Sequence, residues 1–336
     1  MKFIVARDGS DRSSAKAVTR ILKMIKNSGN KARPSTNLHG VQKGDADMVI
    51  SVGSSSNILK TFRELDGISV PVLGVSAYMN EFLPELTVEQ FETMLPKILK
   101  LEYEVEERSR IEVIVDEKPT PPVLNDLVIA AKRSASILSY SIVVDGIKII
   151  NDTGDGIIIS TPNGSTGYSA SAGGPIISSD SKVIALTPIS SMTQARPMVF
   201  SENSVIKIKD INSGFGVELI SDGRFRSRLR GNEILIRKYE EPARFVVFKE
   251  FSRSSVEKLK KRQDIRIDDV DKAPPSAKFI IKLLEYEGPL TQKDIVRLSS
   301  LQARTVRHGL SYLKKKDIIE ERRSLQDARY SIYHLK

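Results

Sequence analysis

A chain of 336 residues that is 40% hydrophobic and 28% charged is long enough for two or three domains and too apolar for global disorder. It has no cysteine, which excludes disulfides and thiolate metal sites, and no apolar run near the roughly 20 residues that span a bilayer. The net charge of +10 is lopsided, because residues 252–336 carry 20 Lys and Arg against 12 Asp and Glu. A basic block at one end of a chain expected to be cytoplasmic points to a module that binds a polyanion.

Lys2–Ala6 reads as a strand. Ala15, Val18, Ile21, Leu22 and Ile25 then recur at three- and four-residue spacing, the pattern of an amphipathic helix. A second strand, Met48–Val52, runs into Gly53-Ser54-Ser55-Ser56-Asn57 and a helix to about Leu65, and Val70–Val75 is a third strand. This alternation predicts an α/β layer with a parallel sheet, whose ligands sit at the C-terminal ends of the strands. From about Arg108 to Tyr239 the pattern changes to short alternating strands, among them Ile111–Val115, Leu127–Ala130 and Ile157–Ser160. That stretch predicts a β-rich, sandwich-like domain. Arg244–Phe248 returns the chain to the first domain, which is assigned residues 1–100 and 240–263, with 101–239 between them.

The most informative stretch runs from Asp155 to Pro175. An acid precedes a short buried strand, Pro162 ends the strand, and Asn163-Gly164-Ser165-Thr166-Gly167-Tyr168 packs hydroxyls and glycines together before Gly173-Gly174-Pro175. Glycines allow close approach of backbone N–H groups to a ligand, and hydroxyls supply short hydrogen bonds. Upstream, Leu124-Asn125-Asp126-Leu127 sets an amide and an acid at the entry to a strand.

In order and spacing these segments resemble the signature of the NAD kinase family, over roughly residues 1–263. The resemblance implies NAD or NADP as ligand, with Asn125, Asp126 and Asp155 on its ribose and nucleotide moieties. Thr166, Gly167, Tyr168 and Ser171 would line its adenosine and nicotinamide ends. Activity would add ATP and Mg²⁺, no protein metal site being read. The family's phosphoryl-transfer loop reads Gly-Gly-Asp-Gly-Thr; here Gly53 and Ser56 occupy phosphate-cradle positions and Ser55 stands at the aspartate. A serine is not a general base at neutral pH. Cβ atoms at positions 54 and 56 would also strain any left-handed backbone. Downstream, Phe82 keeps an aromatic of the family's next loop, and Glu81 replaces a glycine, as a relocated base or a solvated loop carboxylate.

Residues 264–275 read as an acidic, Pro-rich linker. Residues 276–336 read as three helices and a hairpin, a small α+β domain that looks like a winged helix-turn-helix. Arg304, Thr305, Arg307 and His308 on its third helix, with Arg322, Arg323 and Arg329 on its wing, would meet double-stranded DNA. The favoured expectation is therefore an NAD(P)-responsive DNA-binding transcriptional regulator with a degraded catalytic loop. The alternatives are an active ATP-dependent NAD kinase or a kinase of another hydroxyl compound. By resemblance the chain would be a homodimer or homotetramer.

Overall fold

The computed structural model describes residues 1–9, 14–77, 83–133, 136–250, 273–287, 290–299, 301–316, 318–323 and 331–335. The chain divides into two units, a larger one holding residues 1–77 and 84–252 and a smaller one holding the C-terminal residues.

In the larger unit, Met48–Gly53 and Val72–Ser76 are buried at every position. Strands covered on both faces belong to a parallel sheet with helices packed against it. The order is Lys31–Ser35, Lys2–Ala6, Met48–Gly53, Val72–Ser76, Ala243–Val247, Glu104–Arg108, with Leu86–Thr87 also on Val72–Ser76. All neighbours run parallel except the last pair, where Glu104–Arg108 turns antiparallel. The helices Ser14–Asn27 and Val88–Leu99 bury Val18, Ile21, Ile25, Phe91 and Ile98 in one core with this sheet. The helix Ser55–Glu64 buries Ile58, Leu59 and Phe62, and the Phe62 ring packs 4.6 Å from that of Phe245. Its first turn follows the C-terminal end of Met48–Gly53, where such sheets hold ligands.

The middle of the chain forms two six-stranded antiparallel sheets. One runs in the order Ile147–Gly154, Leu138–Val144, Ile206–Asn212, Ile234–Lys238, Ile111–Val115, Lys118–Pro119. The other runs Met198–Ser201, Val183–Ile189, Gly156–Ser160, Asp126–Ala131, Val217–Ser221, Phe225–Leu229. Ile142, Ile208 and Ile236 from the first share a core with Ile129, Ile157, Ile159 and Leu219 from the second, which makes the pair a sandwich. Gly156–Ser160 is nevertheless buried on both faces. The turn Ser165–Ser169 lies against this strand and its neighbour Asp126–Ala131, so the hydroxyl-rich loop is folded back onto its own strand.

Arg110 fastens the sandwich to the α/β layer and is only 2% exposed. Its Nε donates to Glu241 O at 2.8 Å and its Nη1 to Phe62 O at 3.2 Å, and its guanidinium lies over the Tyr239 ring. Tyr239 in turn donates its hydroxyl to Asp66.

In the smaller unit, Pro275–Glu287, Gln292–Ser299 and Ala303–Lys315 are helices, and Leu290–Thr291, Ser331–Leu335 and Ile319–Arg323 form a three-stranded sheet in that order. Thr291 and Asp294 close a reciprocal cap, Thr291 N on Asp294 Oδ2 and Asp294 N on Thr291 Oγ1. Val306, Leu310 and Leu313 face the core of this unit, as the sequence spacing predicts. The expected linker up to Lys272, the helix after Ser254 and the wing tip lie outside the described residues.

Replacing Arg110 with leucine is expected to lower the unfolding free energy by about 3 kcal/mol, because the Phe62 and Glu241 carbonyls lose their donors inside the protein. A shift of the urea unfolding midpoint measures this; a midpoint within experimental scatter of the parent would contradict the tie.

Candidate functional site

Gly53 closes its strand at φ +140°, a region that favours glycine, and Ser54 follows at φ −85°, ψ 171°. Ser54 is thus extended and Ser55 and Ser56 are helical, so the added Cβ atoms meet no left-handed backbone. The strain expected there is absent. Asn57 Nδ2 donates to Ser51 Oγ at 2.9 Å and Val52 O at 3.1 Å, which locks the helix start to the strand before it. The start of a helix is a positive end suited to anions.

Two cations reach this turn. Arg224 Nη1 donates to Ser56 Oγ at 3.0 Å and its Nη2 to Asp8 Oδ2 at 2.7 Å. Lys60 Nζ lies 3.8 Å from the other Asp8 oxygen and donates to Thr36 O.

The second half of the site is built on Asn125 and Asp126. The Asp222 carboxylate accepts from Asn125 N at 2.7 Å and Leu124 N at 3.1 Å, and Asp222 N donates to Asp126 O. Asn163 Nδ2 donates to Asn125 Oδ1 at 2.5 Å, and Arg108 Nη1 to Asn163 Oδ1 at 2.8 Å. Gly164 sits so close to this strand entry that a Cβ there would lie 2.1 Å from Asn125 O, which only glycine tolerates. After it, Ser165–Ser169 winds as a π turn, broken at Gly167 (φ −88°, ψ −126°).

The Asp126 side chain lies on this turn; a Cβ on Gly167 would be 3.8 Å from its Oδ2. Asp126 is 6% exposed and its carboxylate makes no hydrogen bond among the described residues. Burial, and then the nearby Asp222, push its pKa up to about 7. Burial raises Asp222 to about 6 despite the N–H groups and Arg63 that favour its charge. Burial also raises Tyr168, with Asp155 and Asp126 adding to it. The Thr166 Oγ1 is buried without a partner among the described residues. An unpaired hydroxyl beside an unpaired carboxyl fits a ligand that brings its own hydroxyls.

The turn Ser221–Phe225 joins the halves. Asp222 holds the Asn125 strand entry, Arg224 holds Ser56, and the Phe225 ring lies under the Arg63 guanidinium at 4.3 Å. Of the predicted residues, Asn125, Asp126, Thr166, Gly167 and Tyr168 gather around one turn. Ser56 is tied to the turn Ser221–Phe225 by Arg224, and Gly53 and Ser55 lie just before it in the chain. Asp155 is exposed at the end of Gly156–Ser160, and Ser171 is exposed with its Oγ 3.5 Å from Gly167 O. Glu81 and Phe82 lie outside the described residues, as does Arg329, and the side chains of Arg322 and Arg323 are not described. Arg304, Arg307 and His308 are exposed and Thr305 half-buried on the helix Ala303–Lys315 of the smaller unit. Sequence reasoning missed Asp8, Arg63 and Arg224, and gave Asn163 no role of its own. The one signal available was Arg224, a cation placed directly after Ser221-Asp222-Gly223.

Residues 2–103 match the family model described as ATP-NAD kinase N-terminal domain, and residues 124–248 the model described as ATP-NAD kinase C-terminal domain. The NAD kinase of Methanothermobacter thermautotrophicus is 35% identical over 222 residues, 65% of this chain and 78% of that protein. Among solved structures, an NAD kinase from Archaeoglobus fulgidus in complex with ATP matches with a TM-score of 0.65 at 24% identity, over 79% of this chain and 98% of that one. Yeast NADH kinase complexed with NADH matches with a TM-score of 0.68 at 18% identity, over 80% and 89%. At these identities the two structures show the fold alone.

These likenesses overturn the expected DNA-binding regulator. Relatives matched over most of their length are kinases, and the matched region holds both halves of the site just described. The family models end at Phe248, so the basic tail from which the regulator was read has no support among them. A loop without a carboxylate is therefore not evidence of a lost reaction. No helix among the described residues is long and apolar enough to cross a membrane.

The raised carboxyls set a pH dependence. Each favours the folded state below about pH 4, where unfolded carboxyls are also protonated, and loses that contribution as pH rises through about 6 to 7. Asp126→Asn removes one such group. Its stability relative to the parent is expected to grow between pH 4 and pH 8 by on the order of 2–4 kcal/mol, read from urea unfolding at several pH values. A gap that does not change with pH would contradict a buried, protonated Asp126.

Proposed function

The chain belongs to the NAD kinase family, and we propose that it transfers the γ-phosphoryl group of ATP to the 2′-hydroxyl of NAD, giving NADP and ADP. The observation that carries this reading is the turn Ser221–Phe225, which touches a hydroxyl-recognising cluster with Asp222 and a helix start suited to phosphates with Arg224. Phosphoryl transfer asks mainly for positioning and for cations around the phosphates. Asn125, Asp126, Thr166 and Tyr168 would hold the dinucleotide. The first turn of Ser55–Glu64, with Arg224 and Lys60, would take the triphosphate.

Mg²⁺ would arrive on the ATP phosphates. It would neutralise the charge that builds on the transferred group. A homodimer or homotetramer belongs to this reading, and so does the cytoplasm as compartment. The order helix, strand, helix, helix, hairpin supports reading residues 273–335 as a winged helix-turn-helix carried by the kinase.

Purified full-length chain supplied with ATP, Mg²⁺ and NAD is expected to form NADP, detected with an NADP-specific dehydrogenase. ATP turnover without NADP, or phosphorylation of a sugar or lipid hydroxyl in preference to NAD, would overturn the substrate assignment.

A further inference from the structure

We propose that Arg108 is a positioning residue for the dinucleotide, acting through Asn163 to fix which end of the Asn125 side chain faces it. The inference rests on the dinucleotide reading above. A carboxamide has a donor end and an acceptor end of nearly the same shape, so packing alone leaves its orientation open. A guanidinium only donates. Arg108 Nη1 donates to Asn163 Oδ1 at 2.8 Å, which sets that amide with its oxygen toward the arginine. Asn163 Nδ2 then points the other way and donates to Asn125 Oδ1 at 2.5 Å. Asn125 has its side-chain oxygen occupied and is left with Nδ2, which meets no acceptor among the described residues.

Burial and anchoring both run in the direction of Asn125. Arg108 is 7% exposed and Asn163 8%, whereas Asn125 is half-buried, so the relay starts inside the protein and ends where a ligand can reach. Arg108 is itself gripped twice. Its Nε donates to Glu106 Oε1 at 2.9 Å, and its guanidinium lies 4.0 Å over the Phe245 ring, a neighbour on the α/β sheet. The Asn125 backbone is also held, its N–H on Asp222 and its carbonyl by Thr161 N at 2.9 Å, which leaves the turn of the amide to be set. That turn matters for a ribose hydroxyl lying on Asn125 and Asp126. The hydroxyl has one proton; given to the Asp126 carboxyl, it leaves lone pairs that need a donor, and Asn125 Nδ2 supplies one. Without Arg108 both amides could reverse together and stay bonded to each other. Asn125 would then set oxygen against oxygen.

The test measures NAD affinity of the full chain by titration calorimetry, with thermal unfolding as the folding control. Asn163→Asp keeps an acceptor for Arg108 but has no N–H for Asn125, so Asn125 has to turn its own Nδ2 inward. The Kd for NAD is expected to rise about tenfold, the worth of one ordinary hydrogen bond, with the Kd for ATP within twofold and no loss of unfolding temperature. Arg108→Met is expected to weaken NAD by a similar factor in the parent, and by less than twofold when Asn125→Ala has already removed the end of the relay. Asn163→Asp that binds NAD within twofold of the parent overturns the proposal. So does an Arg108→Met loss that persists in full beside Asn125→Ala, the mark of a merely structural arginine. A parent chain that binds no NAD overturns the dinucleotide reading itself, which separates the two failures.

Discussion

The structure depends on one carboxylate that is committed to the backbone. Asp222 spends its oxygens on the backbone N–H groups of Leu124 and Asn125, and its own N–H on Asp126 O. Those bonds fix the turn Ser221–Phe225 against the strand entry that carries Asn125 and Asp126. With the turn fixed, Arg224 and Phe225 have no choice but to meet the helix Ser55–Glu64, at Ser56 and Arg63 respectively. A group buried this deeply carries a desolvation cost, visible as its raised pKa. The backbone N–H groups and Arg63 offset part of that cost, and the turn they hold touches both halves of the site.

The same logic explains why the hydroxyl-rich stretch is informative. Gly164 is there because the Asn125 carbonyl leaves no room for a side chain, Ser165 because its Oγ ties Pro162 O to the chain at Ile177, and Asn163 because Asn125 and Arg108 both need it. Most of the conspicuous residues in Asp155–Pro175 shape the backbone. Thr166, Tyr168 and the neighbouring Asp126 are the residues left over for the proposed dinucleotide.

Much of the fold was legible in the sequence, because its strongest signals are burial signals. Met48–Gly53 and Gly156–Ser160 are continuous apolar runs, and Val306, Leu310 and Leu313 keep strict helical spacing. Lys31–Ser35 was not legible: it is polar, mostly exposed and contains Pro34, all of which an edge strand of a parallel sheet tolerates. The helix Val88–Leu99 was overlooked although Thr87 and Gln90 announce it with a capping box. The site was half legible. Its dinucleotide side is local in sequence and readable, whereas Asp8, Ser56 and Arg224 come from three distant segments that only folding brings together. The error in function had the same root. Reading the loop Gly53–Asn57 by itself made a missing carboxylate look like a missing reaction, and the basic tail then supplied a plausible substitute role.

The central claim is that dinucleotide and triphosphate meet at the turn Ser221–Phe225. A crystal structure of the chain with NAD and a non-hydrolysable ATP analogue tests it most directly. The account predicts Arg224 turned from Asp8 onto the phosphates and the ribose of NAD beside Asn125 and Asp126. A 2′-hydroxyl directed away from that turn, with Arg224 still bonded to Asp8, would contradict it.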